Sequence, residues 1–387
     1  MKRVLLPFLF LLVLGLIILI AYLPAPVQPL DFQVIYHADM GLLRGIQLYD
    51  RNGQAQMIAD LAGVTPDQVV LYPFPYPPWY ALTALPLAFL PIKVATRLWL
   101  ELNVAMLMLA VWLLTEGWKP RARLAAFPLS LVFIPVLGAL FVGQYVFPVL
   151  LGMSLLIYAL RHENPLLTAL AVALLTFKPH LGGLTLLAGM VYFWLHRDGF
   201  GRRALTATVL IGVFLFIAGF LADSSWPLNY FHSITGYGQI SGVQSCKICA
   251  SLPAIVTNWS NAQGTGVAFR IGGVLLLLLS GLMAWKRSLW KLPDGVIAST
   301  TLVTLLVSPY LLNYDFVLLL IPLFFLAGRM ENWLDWLFVG IGYFLPLLGL
   351  GLFGRQGNIT LILAAVLLMV WLFLRENLSV QISSRSP

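Results

Sequence analysis

The segment YPPWYALTALPLAFLPI, residues 76–92, decides how the chain is threaded, because whether it crosses a membrane fixes the side of every later loop. It is apolar but short, and it contains Pro77, Pro78, Pro86 and Pro91. Proline lacks a backbone N–H and restricts the residue before it, so these prolines favour an irregular segment over a straight helix. We therefore expect 76–92 to be re-entrant or interfacial.

The composition is that of a membrane protein. Hydrophobic residues make up 60% of the 387 residues, charged residues 10%, and the mean hydropathy is +0.91. Soluble proteins are about 45–50% apolar and about 25% charged. The apolar runs are continuous rather than alternating, which excludes a β-barrel and leaves helices as the spanning structure. The net charge of +8 is spread over helix ends, so it does not indicate a nucleic-acid partner.

Twelve apolar runs are candidate spans: 4–23, 95–115, 123–140, 145–160, 165–177, 181–196, 203–222, 267–285, 294–308, 313–328, 333–353 and 358–374. A helix needs about 20 mostly apolar residues to cross the hydrocarbon core. The first run follows Lys2 and Arg3 as a signal peptide would, but a signal peptide has only about 7–15 apolar residues. An uncleaved first span is the favoured interpretation.

The basic residues predict the topology. Lys2 and Arg3 place the N-terminus in the cytoplasm by the positive-inside rule. The later basic clusters also lie on the cytoplasmic side only if segment 76–92 does not cross the membrane. The prediction is an all-α integral membrane protein, a single polytopic domain over 1–387 with about 12 transmembrane helices. Its long outer loops are 24–94 and 223–266.

An enzyme would show polar motifs gathered on one side of the membrane, whereas a transporter places polar groups near the midplane of the bilayer, often in inverted repeats that this chain lacks.

The sequence DFQVIYHADMGLLRGIQLY, residues 31–49, supplies two candidate general bases. Asp31 and Asp39 could each take a proton from an attacking hydroxyl. A helix is expected to begin at Asp31, so helix capping is a second interpretation, and simple solvation is a third. Tyr36 and His37 are candidate substrate contacts in the same loop.

The motif Lys178-Pro-His180 ends a span on the outer side, where the positive-inside rule disfavours a cation. A lysine at a helix end can reach the interface without any function. A phosphate would explain it better, since Lys binds phosphate as a point charge and His adds a donor.

Further candidates lie on the same side. Tyr76 and Trp79 belong to YPFPYPPWY, which could be an interfacial aromatic belt or a wall for a sugar ring or lipid chain. Gln144 is either a turn residue or a substrate contact. Asn313 and Tyr314 could bind sugar hydroxyls, whereas Asp315 is better explained by helix capping. Cys246 and Cys249 form a lone C-K-I-C, which cannot complete a zinc site and is assigned a structural role.

The chain lacks a P-loop, a G-x-G-x-x-G after a strand, an H-E-x-x-H and a G-x-S-x-G. We predict neither a metal nor a cofactor. No soluble stretch is long enough for a nucleotide-sugar fold, so any sugar donor is expected to come on a lipid carrier.

Together these segments resemble glycosyltransferase family 87, of the GT-C superfamily of membrane glycosyltransferases. The resemblance is carried by DFQVIY at 31–36, YPPWYAL at 76–82, LWLELN at 98–103, GQ at 143–144, FKPH at 177–180 and SPY at 308–310. It implies an inverting transferase that moves a hexose, mannose above all, from a polyprenyl phosphate to a lipid or glycan acceptor.

The resemblance also implies roles and a location. Asp31 matches the aspartate that opens the family's first-loop motif, and Lys178 and His180 match its K-P-H segment, which faces the donor phosphate. Arg44 is added as a further phosphate ligand, and Asp39 is kept as the second candidate base. Such proteins are expected in the bacterial inner membrane, with the active site on the periplasmic or extracellular side. A lipid-linked sugar transporter or flippase is the alternative, and a non-catalytic assembly factor a third interpretation.

Overall fold

The protein, described by a computed structural model, is built from helices. The structure describes residues 30–69, 74–196, 199–240, 249–259, 265–286 and 292–375, and no strand occurs among them. The predicted first span, 4–23, lies outside the described residues, as does Cys246. Cys249 is buried and disulfide-bonded.

In chain order the α-helices are α1 Leu30–Leu43, α2 Arg51–Ala62, α3 Pro78–Ala84, α4 Ile92–Leu114, α5 Pro120–Leu131, α6 Ile134–Val142, α7 Val146–Arg161, α8 Pro165–Leu175, α9 Pro179–Leu195, α10 Gly199–Ala218, α11 Trp226–Ile240, α12 Leu252–Trp259, α13 Thr265–Trp285, α14 Pro293–Val307, α15 Leu320–Ala327, α16 Trp333–Phe353 and α17 Asn358–Leu374. Short 3-10 helices occupy Pro66–Gln68, Leu85–Phe89, Gly219–Leu221, Asn313–Leu319 and Gly354–Gly357.

The described helices include fewer full-length spans than the sequence predicts. Four are long and apolar enough to cross a membrane: Ile92–Leu114, Gly199–Leu221, Val267–Trp285 and Trp333–Phe353. The pair α5 and α6 makes a fifth if its 52° bend lies within one span. The other predicted runs within the described residues form apolar helices of only 10–17 residues, below the roughly 20 that a perpendicular crossing needs, so twelve spans are not confirmed.

Segment 76–92 is broken, as its prolines predict. α3 starts at Pro78, a position where the missing N–H is harmless, and the 3-10 helix Leu85–Phe89 follows before Pro91 ends the segment. The hydroxyl of Tyr36 donates to the carbonyl of Leu90 at 2.7 Å and ties the segment to α1. Neither piece is long enough to span.

The shorter helices form the centre of the bundle. Nearly every residue of α7 is buried, and α14 is buried along almost its whole length. The corner between α8 and α9 is tight, since a Cβ on Gly182 would lie 2.2 Å from the carbonyl oxygen of Leu175. That close approach fixes the start of α9, where Lys178 lies.

Charged residues cluster at the end of the bundle where α7 finishes and α14 begins. Arg161 and Arg329 both pair with Asp294, and Arg375 lies 3.4 Å from the carboxylate of Asp335. The motifs at 143–145 and 308–315 lie at the other ends of α7 and α14. Fifteen residues of helix separate the two ends of α14, a rise of about 22 Å. These two motifs and the cluster of charged residues therefore lie at opposite ends of α7 and α14.

Candidate active site

Asp31 lies in the first turn of α1, as expected, and its side chain is half-buried. Its Oδ2 accepts a hydrogen bond of 2.9 Å from Nε2 of Gln144. The contact joins residues 113 positions apart in the chain. The carboxylate is thus held by one amide and remains partly open.

Gln144 stands at the corner between α6 and α7. Gly143 before it has a φ of 70°, a left-handed conformation that glycine adopts without strain, and its carbonyl accepts from the indole N–H of Trp99 at 2.9 Å. The amide oxygen of Gln144 accepts from the backbone N–H of Tyr145 at 2.9 Å and from Nζ of Lys178 at 3.1 Å. The orientation of this amide follows from its neighbours: its NH2 faces a carboxylate and its oxygen faces an ammonium.

Lys178 is buried and forms an ion pair with Asp315. Its Nζ lies 2.7 Å from Oδ1 of Asp315, and both side chains are almost fully enclosed. The other oxygen of Asp315 accepts from the backbone N–H of Leu312 at 3.0 Å and caps the 3-10 helix that follows. Nζ also lies 5.5 Å from the ring centroid of Tyr314, within range of a cation–π contact.

These contacts form one continuous chain: Asp31, Gln144, Lys178 and Asp315. The carboxylate of Asp31 and the ammonium of Lys178 lie on either side of the amide of Gln144, so the two charged groups are close but not in direct contact. Burial raises the pKa of Asp31 above its usual value, while the charge of Lys178 and the hydrogen bond from Gln144 lower it and the charge of Asp315 raises it. A raised pKa suits a general base, whose proton affinity should lie near the working pH.

Asp39 occupies a different environment from Asp31. It is 1% exposed, and neither carboxylate oxygen has a hydrogen-bond partner among the described residues. Burial raises its pKa to about 9, so it is protonated at neutral pH. Eight residues of α-helix turn it about 80° away from Asp31. The structure brings Asp31 to the polar cluster and leaves Asp39 in the interior near Tyr80, whose pKa is raised mainly by burial and further by the charge of Asp39.

The aromatic candidates hold the first loop together. Tyr36 is bonded to Leu90, His37 packs edge-on against Tyr36 with its pKa lowered by burial, and the indole of Trp79 donates to Thr176 at 3.0 Å. The ring of Tyr76 meets that of Tyr145 edge-on at 4.7 Å. These side chains form the wall beside the cluster.

Three further candidates differ in their distance from the cluster. His180 is exposed two residues after Lys178, and Asn313 is half-buried two residues before Asp315. Arg44 is exposed just past the C-terminal end of α1. Thirteen residues of helical rise place it about 20 Å along the axis from Asp31, so the structure does not bring Arg44 into the cluster.

Asp315 is the site residue that sequence reasoning missed, because capping already explained it. The capping contact is confirmed, but it uses only one of the two oxygens. A signal was present: Lys178 is the only Asp, Glu, Lys or Arg in 164–196, and Asp315 is the only one in 295–328. Buried charges are paired as a rule, so two lone opposite charges in apolar stretches are candidates for an ion pair with each other.

Among the described residues, no group of three or more His, Cys, Asp or Glu side chains could hold a metal ion.

Among the residues that the structure describes, an all-helical bundle with several apolar helices of spanning length has the architecture of a helical membrane protein. The profile of glycosyltransferase family 87 matches residues 74–309, and the chain belongs to that family. It is therefore a membrane glycosyltransferase. The matched region contains Gln144, Lys178 and His180, while Asp31 precedes it and Asp315 follows it. No curated protein and no solved structure matches the chain.

Proposed function

We propose that the protein transfers a hexose, mannose above all, from a polyprenyl phosphate to a hydroxyl of a lipid or glycan acceptor, with inversion at the anomeric carbon. The observation that carries this proposal is the chain of contacts from Asp31 through Gln144 to Lys178. It supplies a base for the acceptor and a cation for the leaving phosphate, one amide apart.

Asp31 removes the proton from the acceptor hydroxyl, and the oxygen attacks the anomeric carbon from the face opposite the phosphate. The bond from that carbon to the phosphate oxygen breaks, and the phosphate keeps the electron pair. Lys178 offsets the charge that develops on it. Donors aimed at developing charge contribute about 2.7–4 kcal/mol each in other enzymes.

Lys178 has three N–H donors, of which Asp315 and Gln144 take two. The third is available for a phosphate oxygen that enters between the loops. His180, exposed two residues further along, would add a second donor. Asp315 is then a positioning residue that keeps the buried ammonium charged and fixed.

The orientation follows from the charge distribution. The basic end of the bundle, with Arg161, Arg329 and Arg375, would face the cytoplasm by the positive-inside rule. The cluster around Asp31 would then open on the periplasmic or extracellular side of the inner membrane. A donor carried by a polyprenyl chain fits a site at that depth.

The alternative, transport of a lipid-linked sugar, would need polar groups exposed along the inside of the bundle. The hydroxyls of Ser154, Ser299 and Thr301 instead donate to carbonyls of their own helices. These hydroxyls form hydrogen bonds within their own helices and are not left for a transported substrate, which favours the transferase over the transporter.

The test is transfer of label from radiolabelled polyprenyl-phosphate-mannose to a lipid extract by purified wild type and Asp31→Asn. Asparagine keeps the shape and the acceptor oxygen for Gln144 but cannot take the proton. Label in product with wild type alone supports the proposal, and equal transfer by both proteins contradicts Asp31 as the base. No transfer by wild type with mannose, glucose or galactose donors would favour the transporter.

A further inference from the structure

A cavity of about 420 Å³ with a partly polar lining lies between the first loop and α11. Its volume falls in the range of roughly 300–1,000 Å³ that is typical of ligand sites. Its polar lining comes from two parts of the chain far apart in sequence: Gln47, Asp50, Arg51, Asn229, His232 and Ser233.

The lining suits an uncharged ligand with many hydroxyls. The side-chain amides of Gln47 and Asn229 each both donate and accept hydrogen bonds, as sugar hydroxyls do. The charges of Asp50 and Arg51 offset each other. A phosphate would meet the carboxylate of Asp50 and, behind Asn229, that of Asp223, which accepts from the Asn229 amide at 2.9 Å.

An aromatic wall completes the cavity and is held in place by hydrogen bonds. The rings of Tyr49 and Phe74 lie 6.2 Å apart along it. The hydroxyl of Tyr49 donates to the carbonyl of Tyr76 at 2.7 Å, and that of Ser233 donates to the carbonyl of Phe74 at 2.9 Å. The backbone N–H of Leu48 donates to the carbonyl of Ala222 at 3.2 Å, which joins the two sides. A wall fixed in this way is ready to bind without reorganisation.

A short series of contacts connects the cavity to the candidate base. Tyr49 is bonded to Tyr76, whose ring meets that of Tyr145 at 4.7 Å. The backbone N–H of Tyr145 donates to Gln144, which holds Asp31. A ligand in the cavity would therefore contact Tyr49, the first residue of a series that ends at Asp31.

We propose that this cavity binds the carbohydrate part of the acceptor. The inference builds on the proposed function, because it assigns a place to the second substrate of that reaction. It adds Gln47, Asn229 and His232 as binding residues that the sequence did not single out.

The test uses wild type, Gln47→Ala and His232→Ala in nanodiscs, with mannobiose and cellobiose as probes and inorganic phosphate as the charged comparison. Binding is followed by saturation-transfer-difference NMR. Both substituted side chains are exposed, so the fold should tolerate their loss. Gln56→Ala is the matched control, since Gln56 is an exposed glutamine of the same loop that does not line the cavity.

We expect wild type and Gln56→Ala to bind at least one disaccharide, and each cavity variant to bind it about fivefold more weakly, the loss that one or two hydrogen bonds produce. In the transfer assay the same variants should raise the KM for a glycan acceptor and leave kcat unchanged. The proposal would be overturned if wild type gave no disaccharide signal, or if Gln47→Ala and wild type gave equal signals. Binding of phosphate without binding of either disaccharide would also overturn it. Binding without transfer would leave the cavity assignment standing and contradict the proposed reaction instead, so the two failures can be told apart.

Discussion

Breaking the ion pair between Lys178 and Asp315 should destabilise the protein as well as inactivate it. The side chains are 3% and 2% exposed, and their charged atoms lie 2.7 Å apart. Removing one partner of a buried ion pair costs about 3–5 kcal/mol, because the other charge stays buried without a counter-ion. With an unfolding entropy of about 2.1 cal/mol/K per residue, a chain of this length should lose about 4–6 °C in Tm.

The double variant separates stability from catalysis. Asp315→Asn keeps an oxygen for the capped N–H of Leu312, and Lys178→Met keeps most of the apolar stem. Each single variant should show the full loss of Tm, whereas the double variant removes both charges and should recover most of it. Sugar transfer should stay at least about 100-fold below wild type in all three, because the cation that faces the leaving phosphate is absent or displaced.

Thermal unfolding by tryptophan fluorescence and transfer of labelled mannose would be measured on the same preparations. Lys93→Met is the matched control, since Lys93 is an exposed lysine at the start of α4. Single variants that unfold at the wild-type temperature would refute the claim that Lys178 and Asp315 form a buried ion pair. A double variant that transfers sugar at the wild-type rate would refute the role of Lys178 in catalysis.

Three further predictions follow from the charges. Transfer by wild type should fall as the pH drops through a value above the ordinary carboxyl range, because burial raises the pKa of Asp31. Gln144→Leu removes a hydrogen bond that lowers this pKa, so the acidic limb of its kcat–pH profile should lie at higher pH than that of wild type. An acidic limb at the same pH in both proteins would contradict the hydrogen bond between Gln144 and Asp31. Asp39 is protonated in the folded state up to a pKa of about 9 but ionised in the unfolded state above about 4, so wild-type stability should decrease as pH rises between these values, by up to about 1.4 kcal/mol per unit. Asp39→Asn should lack that slope in Tm and be the more stable protein at pH 8; parallel Tm–pH curves would show that Asp39 is not buried. Asp294→Asn, at the opposite end of the bundle from the site, should lower Tm without changing the KM or kcat of transfer, and a selective loss of kcat would show coupling between the ends.

The class of fold was predictable, because it follows from solvation. Continuous apolar stretches predict helices in lipid, and lone charges such as Lys178 must have a reason to leave water. The helix lengths were not predictable in the same way. A run such as 294–308 is apolar because α14 is buried among other helices, and a helix surrounded by protein has no need to match the thickness of the bilayer.

Within the site, local reasoning worked where the relevant contact was local and failed where it was not. The start of α1 close to Asp31 was expected from the local sequence, and the capping by Asp315 involves Leu312, only three residues away. The pairing of Asp315 with Lys178 joins residues 137 positions apart, and only the folded chain brings them together. The separation of Asp39 from Asp31 and the distance of Arg44 could have been worked out from the rise and turn of one helix.

The single amide between Asp31 and Lys178 explains how one cluster can hold both a base and a cation. A direct ion pair would lower the pKa of Asp31 and weaken it as a base. Gln144 keeps the two groups apart, and Asp315 balances Lys178, so the three charged groups carry a net charge of −1 before the reaction. In the proposed reaction, that charge becomes zero when Asp31 takes the acceptor proton, just as the leaving phosphate passes from a diester with one negative charge to a monoester with two. The total charge in the site is therefore constant through the transfer, and the proton arrives on the carboxylate at the moment when its negative charge would oppose the departure of the phosphate.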